Sequence, residues 1–310
     1  VSLTSADVPS RSPQEWWEGR FEEHQARHDE LHDVGLDGTW ADLADLLKPG
    51  ALQALHGRIV VAENAPANTA AKWALTWTVG PVAAAVGYAW ATTGAGVLAG
   101  TGSCRLRFNP GGWPERVDLR GSTILVPNGH AWAECPGVEV APVEELLRRT
   151  RDALVAVASP FVTALRPLGK VGATSLWAEV ADDVGLCLTH APGLDVTDDM
   201  VSRLAALLDL PGSPWKARPD VRAAPVEGGR GCLARKAGCC LAYLVPEETR
   251  TDDDGDPPAR HQAWAARFPA ASDPKPRTCS TCSLRELADC EERQRAWFEI
   301  DRQFSGGAQS

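Results

Sequence analysis

A run of 32 residues without a single charge, from Trp73 to Cys104, separates Lys72 from Arg105. Such a run has two possible homes, the interior of a fold or the interior of a bilayer, and it exceeds the roughly 20 residues that one crossing needs. Its composition favours the first. It holds six glycines, five threonines and Pro81, and is dominated by alanine rather than leucine or isoleucine. It therefore reads as one or two buried helices that meet their neighbours through small side chains. At most a peripheral membrane association is expected. Gly94, Gly96 and Gly100 within it have the spacing GxGxxxG. They lack both the preceding apolar strand and the following acidic residue of a dinucleotide loop, so no hydride-accepting cofactor is expected.

The flanking segments give the rest of the architecture. Ser12, Pro13 and Glu15 write a helix start, and the helix is expected to run to about Asp33 with His24, His28 and His32 on one face. Glu22, Glu23, Arg27, Asp29 and Glu30 surround those imidazoles, so the face reads as solvated rather than metal-binding. A short helix is expected from Thr39 through Leu47. Short alternating stretches at Cys104–Phe108, Arg116–Leu119 and Ser122–Val126, separated by Asn109-Pro-Gly-Gly and Gly121, predict a small antiparallel sheet. Helical periodicity covers Pro142–Leu165, with a kink expected at Pro160, then Leu176–Leu188 and Thr197–Leu208. Pro211–Gly229 reads as a linker. The fold class is α+β, predominantly helical, with residues 1–225 as a mixed scaffold and 226–310 as a C-terminal cysteine-rich unit.

Of nine cysteines, Cys104, Cys135 and Cys187 are scattered, while Cys232, Cys239, Cys240, Cys279, Cys282 and Cys290 lie in the last 83 residues. An even spread would put about two there, so the cluster has a local job. Val1–Pro9 shows no basic segment followed by an apolar one, which leads to the expectation of a cytoplasmic, reducing compartment. There, clustered cysteines more often bind metal or do redox chemistry than form disulfides. The formal charge of −10 argues against a protein that coats nucleic acid through a basic surface.

Gly238-Cys239-Cys240 and Cys279-Ser-Thr-Cys282 carry the chemistry. Two cysteines separated by two residues can direct both sulfurs to one centre from a turn. Adjacent cysteines point apart in an extended strand, so both serve one centre only where the chain turns. Three chemistries remain open. A Cys₄ zinc site usually draws on two pairs of the CxxC kind, and a thiol–disulfide site could use Cys279 and Cys282 alone. An iron–sulfur cluster tolerates irregular spacing, with Cys239/Cys240 on one iron and Cys279/Cys282 on the other as the natural split.

The strings Gly238-Cys-Cys-Leu-Ala-Tyr243 and Cys279-Ser-Thr-Cys-Ser-Leu284 resemble the C-terminal motif of the FhuF-like ferric-siderophore reductases, and Leu176-Trp-Ala-Glu-Val-Ala181 is similar to that family's helix upstream of the motif. The resemblance implies a [2Fe-2S] cluster on Cys239, Cys240, Cys279 and Cys282. It further implies one-electron reduction of siderophore-bound Fe(III), of hydroxamate type, with electrons from a donor protein such as a ferredoxin. No acid–base residue is then required. In one respect the chain departs from the family: 38 residues separate Cys240 from Cys279, where the family has about ten, although closure cost grows only slowly with loop length. This insert, 246–276, carries six prolines and the run Asp252, Asp253, Asp254, Asp256, with a short helix expected at Arg260–Phe268. Cys232 and Cys290 are the substitute ligands. Arg230, Arg235, Lys236, Arg277 and Arg285 form a basic island that could dock an acidic ferredoxin or an anionic ferric siderophore. Trp16, Trp17, Trp132 and Trp215 could line a ligand surface, with core packing the blander use.

Overall fold

The computed structural model describes residues 39–109, 112–189, 194–245, 259–269 and 279–305, together with Pro13 and Asp273. The expected N-terminal helix with its three histidines lies outside the described residues apart from Pro13. So do Arg277 and most of the insert. Among the described residues no helix is long and apolar enough to cross a membrane.

The uncharged run becomes two helices and a strand. α1 (Ala51–Ala62) leads into α2 (Ala67–Thr78), and Gly80-Pro81 starts α3 (Gly80–Thr93), with the proline in the first turn, where its missing N–H costs nothing. α3 is buried on nearly every side, as its lack of a polar face requires. Thr78, Thr92 and Thr93 satisfy their hydroxyls by donating to the carbonyls four residues back. α4 (Val143–Gly169) passes through Pro160 without ending there, and α5 (Ala173–Gly185) and α6 (Asp198–Leu208) follow. Leu75, Val82, Val86, Phe161, Leu165, Leu176, Val180 and Val184 meet in one core. Trp90 Nε1 donates to the Arg203 carbonyl at 2.6 Å, tying α3 to α6.

Two small sheets flank the helices, where one was expected. β1 (Thr39–Asp42), β3 (Arg105–Phe108) and β4 (Pro114–Asp118) are antiparallel in the order β1-β3-β4. The Thr39–Leu47 helix is thus corrected: its first half is β1, held by pairing with β3, and only Asp45–Leu47 is helical, as a 3₁₀ turn. β5 (Thr123–Val126) leaves this sheet, pairing antiparallel with β2 (Gly96–Leu98) and parallel with β6 (Val138–Val140). The linker reading of Pro211–Gly229 is corrected as well. Its second half is β7 (Asp220–Val226), which forms a hairpin with β8 (Gly229–Arg235). The 225/226 division falls inside β7, and Cys232 of β8 joins the core of the helical body.

The insert helix appears as α7 (Ala259–Arg267), packed on α8 (Leu287–Ser305) by an edge-on contact between Trp264 and Trp297. The Gln294 side chain of α8 receives the Ala234 N–H and donates to the Ala234 carbonyl, extending β8 as a strand would.

Two glycines separate close packing from simple backbone freedom. A Cβ on Gly87 of α3 would stand 2.5 Å from the Val184 carbonyl, whereas one on Gly57 of α1 would meet nothing within 4 Å. Gly87→Ala should lower stability to urea by about 1–3 kcal/mol through overpacking. Gly57→Ala should raise it by about 0.5–1 kcal/mol, since alanine favours a helix. Equal effects in a denaturation series would contradict the close approach of α3 to α5.

Candidate metal centre

The two cysteine-bearing loops lie side by side beyond the end of β8. Lys236 N–H donates to the Thr281 carbonyl at 2.8 Å, and Ser283 Oγ to the Gly238 carbonyl at 3.2 Å. Arg235 Nη2 adds a bond to the Ser283 carbonyl. In the second loop Cys282 N–H closes a tight turn on the Cys279 carbonyl, and Arg285 Nε also holds that carbonyl.

The turn required of the adjacent pair is present, but not through glycine's freedom at positive φ. Leu241 takes the left-handed conformation, at φ 61°. Gly238 serves close approach: a Cβ there would stand 3.1 Å from both Asp182 Oδ2 and Glu179 Oε1. The Leu241 amide acts to lower the Cys239 thiol and the Ala242 amide that of Cys240. Leu284 N–H reaches Cys282 Sγ at 3.4 Å.

All four expected ligands come together. Cys282 acts on the Cys239 thiol, and Cys279 acts on those of Cys240 and Cys282, so the four lie near one another. Each member of the adjacent pair is thus acted on from the other loop. The Cys282 hydrogen bond, helped by the Leu241 amide and the charge of Lys72, lowers the Cys239 pKa to about 7. Cys240, which donates to Cys279 and is buried, is pushed far above the usual thiol range. Cys282 is raised by its donation to Cys239. The substitute ligands stand apart in character. Cys290 is fully buried, donates to the Cys282 carbonyl at 3.4 Å, and is raised by burial to about 11. Burial raises Cys232 to about 12.

Beneath the loops lies a buried charged layer that sequence reading missed. Lys72 of α2 is 2% exposed; its Nζ donates to Glu179 Oε1 at 2.7 Å and to the Cys239 carbonyl at 2.5 Å. Asp182 accepts the N–H groups of Ala237 and Gly238 at 2.8 and 2.9 Å. Burial outweighs those two bonds and raises its carboxyl to about 7; burial also holds Asp183 well above the carboxylate range. The signal was available: Lys72 closes the uncharged run, and Glu179, Asp182 and Asp183 interrupt an otherwise apolar α5.

The basic island is largely turned inward. Burial opposes the charge of Lys236, yet Glu179, Cys240, Cys279 and Asp183 around it raise its pKa. Arg285 is 1% exposed and paired with Asp273 and Asp289, Arg293 joining the same carboxylates. Arg230 bonds Asp198 at the surface. Close in sequence to the cysteines, Tyr243, Leu244 and Leu284 are among the exposed large hydrophobic side chains. Trp132 and Trp215 are core residues, while Trp113 is exposed and packs on Trp77, itself stacked with Trp73 beside Lys72.

Among the described residues no group of three or more His, Cys, Asp or Glu side chains is arranged to hold a metal ion. A [2Fe-2S] centre asks for four thiolates, and four neighbouring cysteines on two loops bonded side by side are the donor set that could supply them. In metal-free protein at pH 7.5, iodoacetamide should modify Cys239 ahead of Cys240 and Cys282, with Cys232 and Cys290 last, because the thiolate is the nucleophile. Peptide mapping that found Cys240 ahead of Cys239 would contradict the lowered Cys239 thiol. Comparison with family models, with curated proteins and with solved structures returned no match for this chain.

Proposed function

We propose that the protein is a ferric-siderophore reductase, in which a [2Fe-2S] cluster on Cys239, Cys240, Cys279 and Cys282 delivers one electron to Fe(III) held by a siderophore of hydroxamate type. The carrying observation is that the two cysteine-bearing loops are bonded side by side, which brings four cysteines near one another, with Tyr243, Leu244 and Leu284 exposed nearby in sequence. When bound, the cluster supplies a one-electron store that a donor protein such as a ferredoxin refills. Fe(III) gains the electron, and the resulting Fe(II), a poorer fit for hard oxygen ligands, leaves the siderophore. The work is proposed for a reducing, cytoplasmic compartment.

The chain's own residues then have three tasks. The four cysteines would hold the cluster. The Leu284 amide, bonded to Cys282 Sγ, and those of Leu241 and Ala242 would stabilise charge on the sulfurs. Exposed Tyr243, Leu244 and Leu284, close in sequence to the cysteines, would offer apolar surface to substrate or donor. A second reading is a non-catalytic module, binding zinc or a cluster as an iron or redox sensor. It is favoured by the burial and pairing of Arg285, which removes it as a docking charge.

Anaerobically purified protein should be brown, with iron and sulfide in equal amounts, and once reduced it should bleach a ferric hydroxamate. A colourless, zinc-loaded protein sinks the reading; a coloured one inert toward several hydroxamates favours the sensor.

Cys239→Ser and Cys282→Ser should each bleach or shift the spectrum, and Cys187→Ser should not.

A further inference from the structure

The Cys239–Cys240 loop receives its shape from the helical body. Three peptide groups of the loop are held from outside: Asp182 takes the N–H of Ala237 and of Gly238, and Lys72 takes the carbonyl of Cys239. Thr69 Oγ1 reaches the Leu241 carbonyl at 3.4 Å. All the partners belong to α2 and α5, far away in sequence. Glu179 in turn fixes the Lys72 ammonium at 2.7 Å, with both side chains no more than 3% exposed.

Peptide direction reverses along this loop. The amides of Ala237 and Gly238 face inward to a carboxyl, while those of Leu241 and Ala242 act to lower the thiols of Cys239 and Cys240. That reversal, with Leu241 in a left-handed conformation, is costly for a free loop and persists only where surroundings impose it. We propose that Lys72, Glu179 and Asp182 are positioning residues that hold the Cys239–Cys240 loop in its ligating shape before any metal arrives, and thereby keep two N–H groups aimed at the ligand sulfurs. The proposal rests on the reading of these cysteines as cluster ligands. It goes further in assigning the shape of the site to the scaffold rather than to the metal. N–H groups aimed at cluster sulfurs favour the reduced, more negative state.

The test uses the full chain in two states. In metal-free wild type, the Ala237 and Gly238 amides should exchange with deuterium as slowly as buried α5 amides such as that of Val180. Asp182→Ala should speed exchange at those two amides at least tenfold while leaving the Val180 amide unchanged. Lys72→Met paired with Glu179→Gln, which leaves no uncompensated buried charge, serves if Asp182→Ala does not fold. After reconstitution with iron and sulfide, this double variant should lower the reduction equilibrium of the cluster about tenfold, ~59 mV for one electron. A merely structural ion pair would change melting temperature and leave the potential alone. Fast exchange at Ala237 and Gly238 in metal-free wild type, or a potential unmoved in the double variant, would overturn the proposal. Failure of the wild type to take up iron and sulfide would instead refute the cluster reading, and the exchange data would still decide whether the clamp exists.

Discussion

The Lys72 ammonium, held between the Glu179 carboxylate and the Cys239 carbonyl, is the contact on which the arrangement of the C-terminal loops depends. Buried ion pairs contribute little net stability against well-packed apolar residues, yet removal of one partner costs about 3–5 kcal/mol because a charge is left unpaired. That asymmetry makes the pair a device for uniqueness of geometry. With Lys72 on α2 and Glu179 on α5, the ammonium can satisfy the carboxylate and the loop carbonyl together only when both helices and the loop are in one relative position. The small residues of the uncharged run permit this, since α2 and α3 approach α5 closely enough for a lysine to span the gap.

A second buried knot holds the other loop. Arg285 joins the Cys279 carbonyl to Asp273 and Asp289, and Arg293 shares both carboxylates. Two guanidinium groups facing two carboxylates leave no net charge, and α8 supplies two of the four residues, Asp289 and Arg293. The two cysteine loops are thus tethered to different bodies, the first to α2 and α5, the second to α8. They meet through the backbone bond from Lys236 to Thr281 and the Ser283 bond to Gly238. A 38-residue gap between the cysteine pairs costs the site little under these conditions, because each loop is anchored on its own side of the gap.

Legibility in the sequence followed the range of the forces involved. Long periodic segments such as α4, α5 and α6 were readable because one buried face leaves its period in the residues. The four-residue strand β1 was not, since Trp40 and Leu43 suit helix and strand alike and only pairing with β3 decides. β7 was hidden by Pro225, tolerated in a two-stranded hairpin where a central strand would reject it. Separation of β5 from β4 rests on its parallel partner β6, a contact that no local pattern announces. At the site, the four cysteines were visible as motifs, and the need for a turn at the adjacent pair followed from strand geometry. The reason for Gly238 did not: it lies in the two carboxylates of α5, over 50 residues earlier.

The same cysteine loops also show how an acidic chain can carry a thiolate. Asp182 and Asp183 stand near the sulfurs, and as ionised carboxylates they would oppose negative charge there. Burial raises both carboxyls and so weakens that opposition, while Lys72, paired with Glu179, and Lys236 supply positive charge. Asp183 Oδ2 is buried without a hydrogen-bond partner among the described residues, which fits a neutral acid better than an anion. Cys239 is lowered, and its own carbonyl is the one the Lys72 ammonium touches. The formal charge of −10 is therefore a poor guide to the centre, where two lysines stand with the Glu179 carboxylate and two carboxyls pushed upward by burial.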